Sequence, residues 1–167
     1  EDVDANDILT YTATLTNGNV LPAWLTFTPI SRNFGGTPLN SDVGVVSIRV
    51  TAEDQSVESV SDDFSLTVIN VNDAPTIEGD TFSLPENSNN GTAVGSISVN
   101  DQDEGDVPTV TIINGDPNNA FSIDDNGDIT VNDKTYLDYE TETSFTLTVQ
   151  AADSEFSPTD TVIINIT

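Results

Sequence analysis

Asp2-Val3-Asp4-Ala5-Asn6-Asp7 and Asp101-Gln102-Asp103-Glu104-Gly105-Asp106 carry three aspartates in one register, 99 positions apart. The same offset aligns Thr10 and Thr12 with Thr109 and Thr111, and Val50-Thr51-Ala52-Glu53-Asp54 with Val149-Gln150-Ala151-Ala152-Asp153. A single offset held across separate motifs marks an internal repeat, and a repeat constrains the fold more than any local pattern does. The 167 residues suffice for one large or two small domains. The repeat selects two copies of one fold.

The second copy is rich in short strands. Thr81-Phe82-Ser83-Leu84 alternates and stops at Pro85, and Val94 to Val99 runs into the aspartate cluster. Val110 to Ile113 ends at Asn114-Gly115. Phe121 to Ile123 and Asp128 to Val131 flank Asp124-Asp125-Asn126-Gly127, a hairpin turn because Asn-Gly tolerates positive φ. Phe145, Leu147, Val149 and Ala151 alternate with polar residues at period 2, as do Val162, Ile164 and Ile166. Seven short strands without helical periodicity predict an all-β sandwich of immunoglobulin-like size.

In the first copy the strand candidates are Ile8 to Leu15, Trp24 to Phe27, Val45 to Thr51 and Phe64 to Val71. The equivalents of Phe82 to Leu84 and Val94 to Val99 would fall before Glu1, so sheet edges are expected to be unpaired unless something else covers them. Trp24 reads as a core plug, and Phe27, Phe64, Phe121 and Phe145 as core. The expected boundaries are a first domain over 1–71, a linker over 72–75 and a second domain over 76–167.

Lys and Arg total 3 against 29 Asp and Glu, a formal charge of -26. Such a chain repels nucleic acid and anionic membranes and attracts cations. Hydrophobic residues make up 35%, and their regular alternation argues against disorder. Cysteine and histidine are absent, which removes disulfides, thiolate metal sites, the usual general base and the commonest transition-metal ligand. No catalytic residue is assigned. Nothing resembles a signal peptide or a membrane span, so direct membrane insertion is not expected and the chain reads as a piece of something longer.

Asn70-Val71-Asn72-Asp73-Ala74-Pro75 joins the copies. Pro75 cannot donate to a ladder and ends the strand run. The oxygen-rich side chains before it read either as an ordinary loop or as ligands for a hard cation.

Several motifs then fall in one order. Leu84-Pro85-Glu86-Asn87 with Gly91-Thr92, Asp101-Gln102-Asp103, Leu137-Asp138-Tyr139-Glu140, Ala151-Ala152-Asp153 and Asn72-Asp73-Ala74-Pro75 resemble a cadherin repeat across residues 72 to 153. The first copy resembles the cadherin-like variant of dystroglycan-type and bacterial surface proteins. Its marks are Asp2-Val3-Asp4, Leu9-Thr10-Tyr11, Leu21-Pro22-Ala23-Trp24-Leu25, Gly36-Thr37-Pro38 and Val50-Thr51-Ala52-Glu53-Asp54. The linker is similar to bacterial forms. Vertebrate cadherins carry Asp where Asn70 stands and a further Asn after Asp73, so this departure implies fewer or weaker ions.

The resemblance implies two tandem Greek-key β-sandwiches joined by a short linker that binds Ca²⁺. It places Asp101, Asp103 and Asp153 at the upper pole of the second domain, with Asn70, Asn72 and Asp73 from the linker and Asp42 from the first domain. Asp2, Asp4 and Asp54 would form a half-site toward an upstream neighbour, and Glu86, Asp138 and Glu140 one toward a downstream neighbour. Each aspartate also reads as a turn former or Asx cap. Asp124-Asn126-Asp128 is a turn, because Thr135 stands where an EF-hand loop needs Glu.

Three functions fit: a calcium-dependent adhesion module of a longer surface protein, a passive spacer in a secreted enzyme or giant adhesin, and a polysaccharide-binding module. The implied partners are neighbouring repeats, a homophilic protein partner or a cell-surface polysaccharide. The expected location is extracellular or at the cell surface, on a bacterium. Asn90-Gly91-Thr92 and Asn165-Ile166-Thr167 would be glycosylation sequons only in a eukaryote.

Overall fold

The structure is a computed structural model, and it describes residues 8–167. It divides into two compact units, Glu1–Val71 and Asn72–Thr167. Both are built from strands. Among the described residues the only helical segments are 3-10 turns at Asn40–Asp42 and Lys134–Tyr136.

The first unit contains β1 (Thr10–Leu15), β2 (Leu25–Thr28), β3 (Asn33–Gly36), β4 (Gly44–Glu53) and β5 (Ser59–Val68). β4 is central, with β1 and β5 antiparallel on either side, while β2 and β3 form a separate hairpin. Phe34 joins the two layers, its ring 4.8 Å from Phe27 on the same hairpin and 5.5 Å from Phe64 on β5. Only Leu25 and Ile48 are buried among the described apolar residues of this unit.

The second unit runs β6 (Thr76–Glu78), β7 (Thr81–Leu84), β8 (Ala93–Ser96), β9 (Ser98–Asn100), β10 (Thr109–Asn114), β11 (Phe121–Ile123), β12 (Asp128–Val131), β13 (Ser144–Ala152) and β14 (Thr159–Ile166). One sheet has the order β10-β13-β14-β7, the other β11-β12-β8, and β6 pairs with β9. β7 lies parallel to β14; the other pairings are antiparallel. The inward residues of β13 and β14, Leu147, Val149, Ala151, Val162 and Ile164, are fully buried against Ile129, Val131, Leu137 and Phe121. This is a Greek-key β-sandwich, as the alternation predicts.

Four expectations need correction. Val94 to Val99 is not one strand. Ile97 turns aside to donate its N–H to the Gly127 carbonyl, so β8 pairs with β12 while β9 pairs with β6. A Cβ on Gly127 would sit 2.5 Å from the Ile97 carbonyl oxygen, so this close approach needs glycine. β3 and β6 were not anticipated, because glycine dilutes the first and the second spans three residues. Phe64 is not core but 40% exposed. Trp24 is half-buried rather than a core plug.

The uncovered face of the first unit has a specific cause. On β13 and β14, Phe145 faces Ile164 and Leu147 faces Val162; on β4 and β5, Val46 faces Leu66 and Ile48 faces Phe64. Phe64 therefore stands where the second unit has Val162, which is fully buried. The second unit adds β7 along the far side of β14, whereas β5 has no strand on its outer edge among the described residues.

Candidate metal centre

β9 leads into Asp101-Gln102-Asp103 and β13 into Asp153, and the entry to β6 brings a third segment to them. Pro75 is buried, which seats that entry. The Asp73 backbone N–H donates to Asp103 Oδ2 at 2.7 Å, and Asn72 Nδ2 donates to Asp153 Oδ2 at 3.1 Å. Asp101 Oδ1 accepts from the Asp103 N–H at 2.9 Å in an Asx turn. That bond closes the local turn between Asp101 and Asp103. Asp73 is thus tied to Asp103, Asn72 to Asp153 and Asp101 to Asp103 within the second unit, but among the described residues the three carboxylates whose oxygens all lie within 4.8 Å of one another are Glu86, Asp138 and Glu140.

The electrostatics of the cluster are unusual. Asp103 is only 4% exposed. Asp101 Oδ2 is buried and has no hydrogen-bond partner. A buried, unsatisfied carboxylate oxygen is costly and rare in folded proteins. Asp153 Oδ1 accepts from the N–H groups of Phe156 at 2.6 Å and Glu155 at 2.7 Å. The Phe156 N–H, followed by the Glu155 N–H and the Asn72 carboxamide, holds the Asp153 carboxyl below the ordinary carboxylate range.

The donor set is all oxygen from carboxylates, with amides beside it. It fits a hard cation of the Ca²⁺ type, which takes six to eight oxygens in flexible geometry. The three basic side chains are engaged in other contacts. Arg49 forms a two-bond pair with Asp63, Arg32 lies 5.4 Å over the Tyr11 ring, and Lys134 Nζ donates to Asn89 Oδ1. Asp101, Asp103 and Asp153 are the carboxylates on these loops that could hold such a cation.

A second acidic group lies between the end of β7 and the turn after Lys134–Tyr136. Carboxylate oxygens of Glu86, Asp138 and Glu140 fall within 4.8 Å of one another. Glu86 is held by its N–H to the Thr167 carbonyl and accepts from the Tyr139 N–H through Oε2. The Thr141 hydroxyl and then Glu140 hold the Asp138 carboxyl low.

The other sequence candidates stand in the first unit. Asp42 Oδ2 accepts from the Leu39 N–H at 2.9 Å. Asp54 Oδ1 accepts from the N–H groups of Ser56 and Glu58 in the β4–β5 hairpin, much as Asp153 does after β13. Asn70 is exposed. Asp2 and Asp4 lie outside the described residues. Asp124 caps its own turn, accepting from the N–H groups of Asn126 and Asp128. Sequence reasoning did not find the Glu155 and Phe156 amides or Thr141. They orient Asp153 and Asp138 through backbone N–H and hydroxyl groups, which leave no distinctive sequence mark.

Paired sheets with acidic loops at their strand ends, one of them carrying buried Asp103, define the class as a Greek-key β-sandwich. A family model described as "Cadherin domain" matches residues 80–167, and one described as "Putative Ig domain" matches residues 1–69. The chain belongs to the cadherin domain family. It is 32% identical over 166 residues to Cadherin EGF LAG seven-pass G-type receptor 1 of Homo sapiens, covering 92% of this chain and 5% of the receptor. It is 35% identical over 102 residues to Cadherin-8 of Rattus norvegicus, covering 56% of this chain and 13% of that protein. The chain thus spans a small fraction of these relatives. Among solved structures, human protocadherin-24 EC1-2 matches all of this chain and 84% of its own, with a TM-score of 0.64 at 22% identity. Extracellular cadherin domains 3-6 of protocadherin gamma B2 match 94% of this chain and 41% of their own, with a TM-score of 0.67 at 20% identity. These structures share the fold.

Proposed function

We propose that this chain is a calcium-stiffened adhesion module of a longer extracellular or cell-surface protein. The observation that carries it is Asp101 Oδ2, a buried oxygen without a hydrogen-bond partner, on a loop whose Asp103 holds the Asp73 N–H while neighbouring Asn72 holds Asp153. Domains over 1–71 and 76–167 are joined by the linker 72–75, and Ca²⁺ takes oxygens from the pole, the linker and Asp42. With Asn70 in place of Asp, the site holds fewer or weaker ions. Asp2, Asp4 and Asp54 serve a preceding neighbour, and Glu86, Asp138 and Glu140 a following one. The neighbours are repeats of the same chain or a like domain on another cell.

The role is binding and mechanical rather than catalytic, in keeping with a chain that lacks His and Cys. The relatives named above come from human and rat; the bacterial reading and the dystroglycan-type reading of the first copy rest on sequence motifs alone. No observation favours a polysaccharide ligand, since the one Trp is half-buried.

Small-angle scattering of the whole chain tests the proposal. The distance distribution should be extended and narrow in calcium, and broad in chelator and in Asp103→Ala. Identical distributions in all three would make the linker a mere tether. Calcium titration by calorimetry should show heat that Asp101→Asn removes.

A further inference from the structure

Asn-Gly occurs at Asn17-Gly18, Asn90-Gly91, Asn114-Gly115 and Asn126-Gly127. Such steps are chemically labile because glycine offers no side chain to hinder its own backbone nitrogen. That nitrogen attacks the asparagine side-chain carbonyl carbon, the C–N bond to the side-chain amide breaks, and ammonia leaves. Water then opens the cyclic imide at either carbonyl, giving aspartate or isoaspartate. The reaction needs a glycine nitrogen that is not held elsewhere and a side chain free to rotate onto it.

The fold denies these conditions at three of the four steps. The Gly18 N–H donates to the Leu15 carbonyl, Gly91 to Val131 and Gly127 to Asp124. Their asparagine side chains are also tied: Asn17 Oδ1 accepts from the Asn19 N–H, Asn90 Oδ1 from the Lys134 N–H, and Asn126 Nδ2 donates to Asp124 Oδ2. At the remaining step the Gly115 N–H donates at 2.9 Å to Asn114 Oδ1 itself, so the nucleophile already lies against the group it must attack. Asn114 is exposed, at the end of edge strand β10, beside the irregularity where β10 shifts register against β13.

We propose that Asn114 is the site of spontaneous deamidation in this protein, selected by the free approach of the Gly115 nitrogen. The consequence is local and directional. Isoaspartate routes the main chain through the former side chain and adds a methylene where Asn114 faces Thr148. The neighbouring glycine cannot adjust by substitution, because a Cβ on Gly115 would meet the Thr146 carbonyl oxygen at 1.9 Å. Either product adds a negative charge to a chain already at -26.

The test incubates the whole folded chain in mildly alkaline buffer and follows each Asn-Gly peptide by mass and by isoaspartyl methyltransferase labelling. Two intramolecular hydrogen bonds must open at each of the other three steps, so Asn114 should convert at least about tenfold faster than any of them. In denaturant the four rates should converge. Asn114→Gln should leave only the slow background. Asp124→Ala should speed conversion at Asn126 and leave Asn114 unchanged. If Asn17, Asn90 or Asn126 converts as fast as Asn114 in the folded chain, or if the tenfold preference persists in denaturant, the proposal is overturned.

Discussion

The Asp73 backbone N–H reaches Asp103 Oδ2 at 2.7 Å, across a sequence separation of 30 residues. That bond makes the junction segment part of the second sandwich. With the Asn72 bond to Asp153, it anchors the chain at both aspartate loops before the first strand of the unit begins.

Asp103→Ala removes the acceptor for the Asp73 N–H from a buried position. The second unit should lose about 1 to 3 kcal/mol in urea titrations run with chelator present. An unchanged midpoint would mean that the junction contributes nothing to the fold.

Asp101→Asn should act in opposite directions with and without metal. It keeps an oxygen for the Asp103 N–H and removes a charge whose Oδ2 is buried without a partner beside buried Asp103, so the metal-free form should gain about 1 kcal/mol. The wild-type chain should gain about 2.7 kcal/mol at free calcium about 100-fold above Kd, and the variant should gain almost none. Thermal melts with and without calcium decide both signs.

Acid stability should depend on Asp153. Its folded pKa is lowered by the Phe156 and Glu155 amides and the Asn72 carboxamide. A depressed carboxylate contributes stability above its unfolded pKa, about 3.9, and loses it as pH falls through the lower folded value. Asp153→Asn should therefore flatten the acid limb of the stability curve below about pH 4. A superimposable acid limb would rule out this contribution.

The two units should unfold separately. Among the described residues, the first buries only Leu25 and Ile48, while the second buries a continuous cluster from Ile77 to Ile166. Hydrogen exchange should be faster in β4 and β5 than in β13 and β14, and calorimetry should resolve two transitions. One cooperative transition with uniform protection would contradict this.

Much of this was legible in the sequence. The fixed offset and the alternation of Phe145, Leu147, Val149 and Ala151 pointed to a sandwich, and the spacing of Asp101 and Asp103 marked the acidic turn. What escaped was set by tertiary geometry. The break at Ile97 depends on the Gly127 carbonyl, which lies on a different hairpin. Among the described residues no strand lies beyond β5, where Phe64 is exposed, and residue type alone does not encode that edge. Likewise, no motif tells which oxygen of Asp101 is buried without a partner.

The parallel pairing of β7 with β14 fixes how the second unit would respond to tension applied at its two ends. β7 is near the start of the unit and β14 at its end, joined in register from Ile163 opposite Thr81 to Ile166 opposite Leu84. Tension entering through Asn72 and leaving through Thr167 pulls these strands along their length in opposite senses. Their rungs are strained together in shear instead of peeling one by one, so the pair behaves as a mechanical clamp.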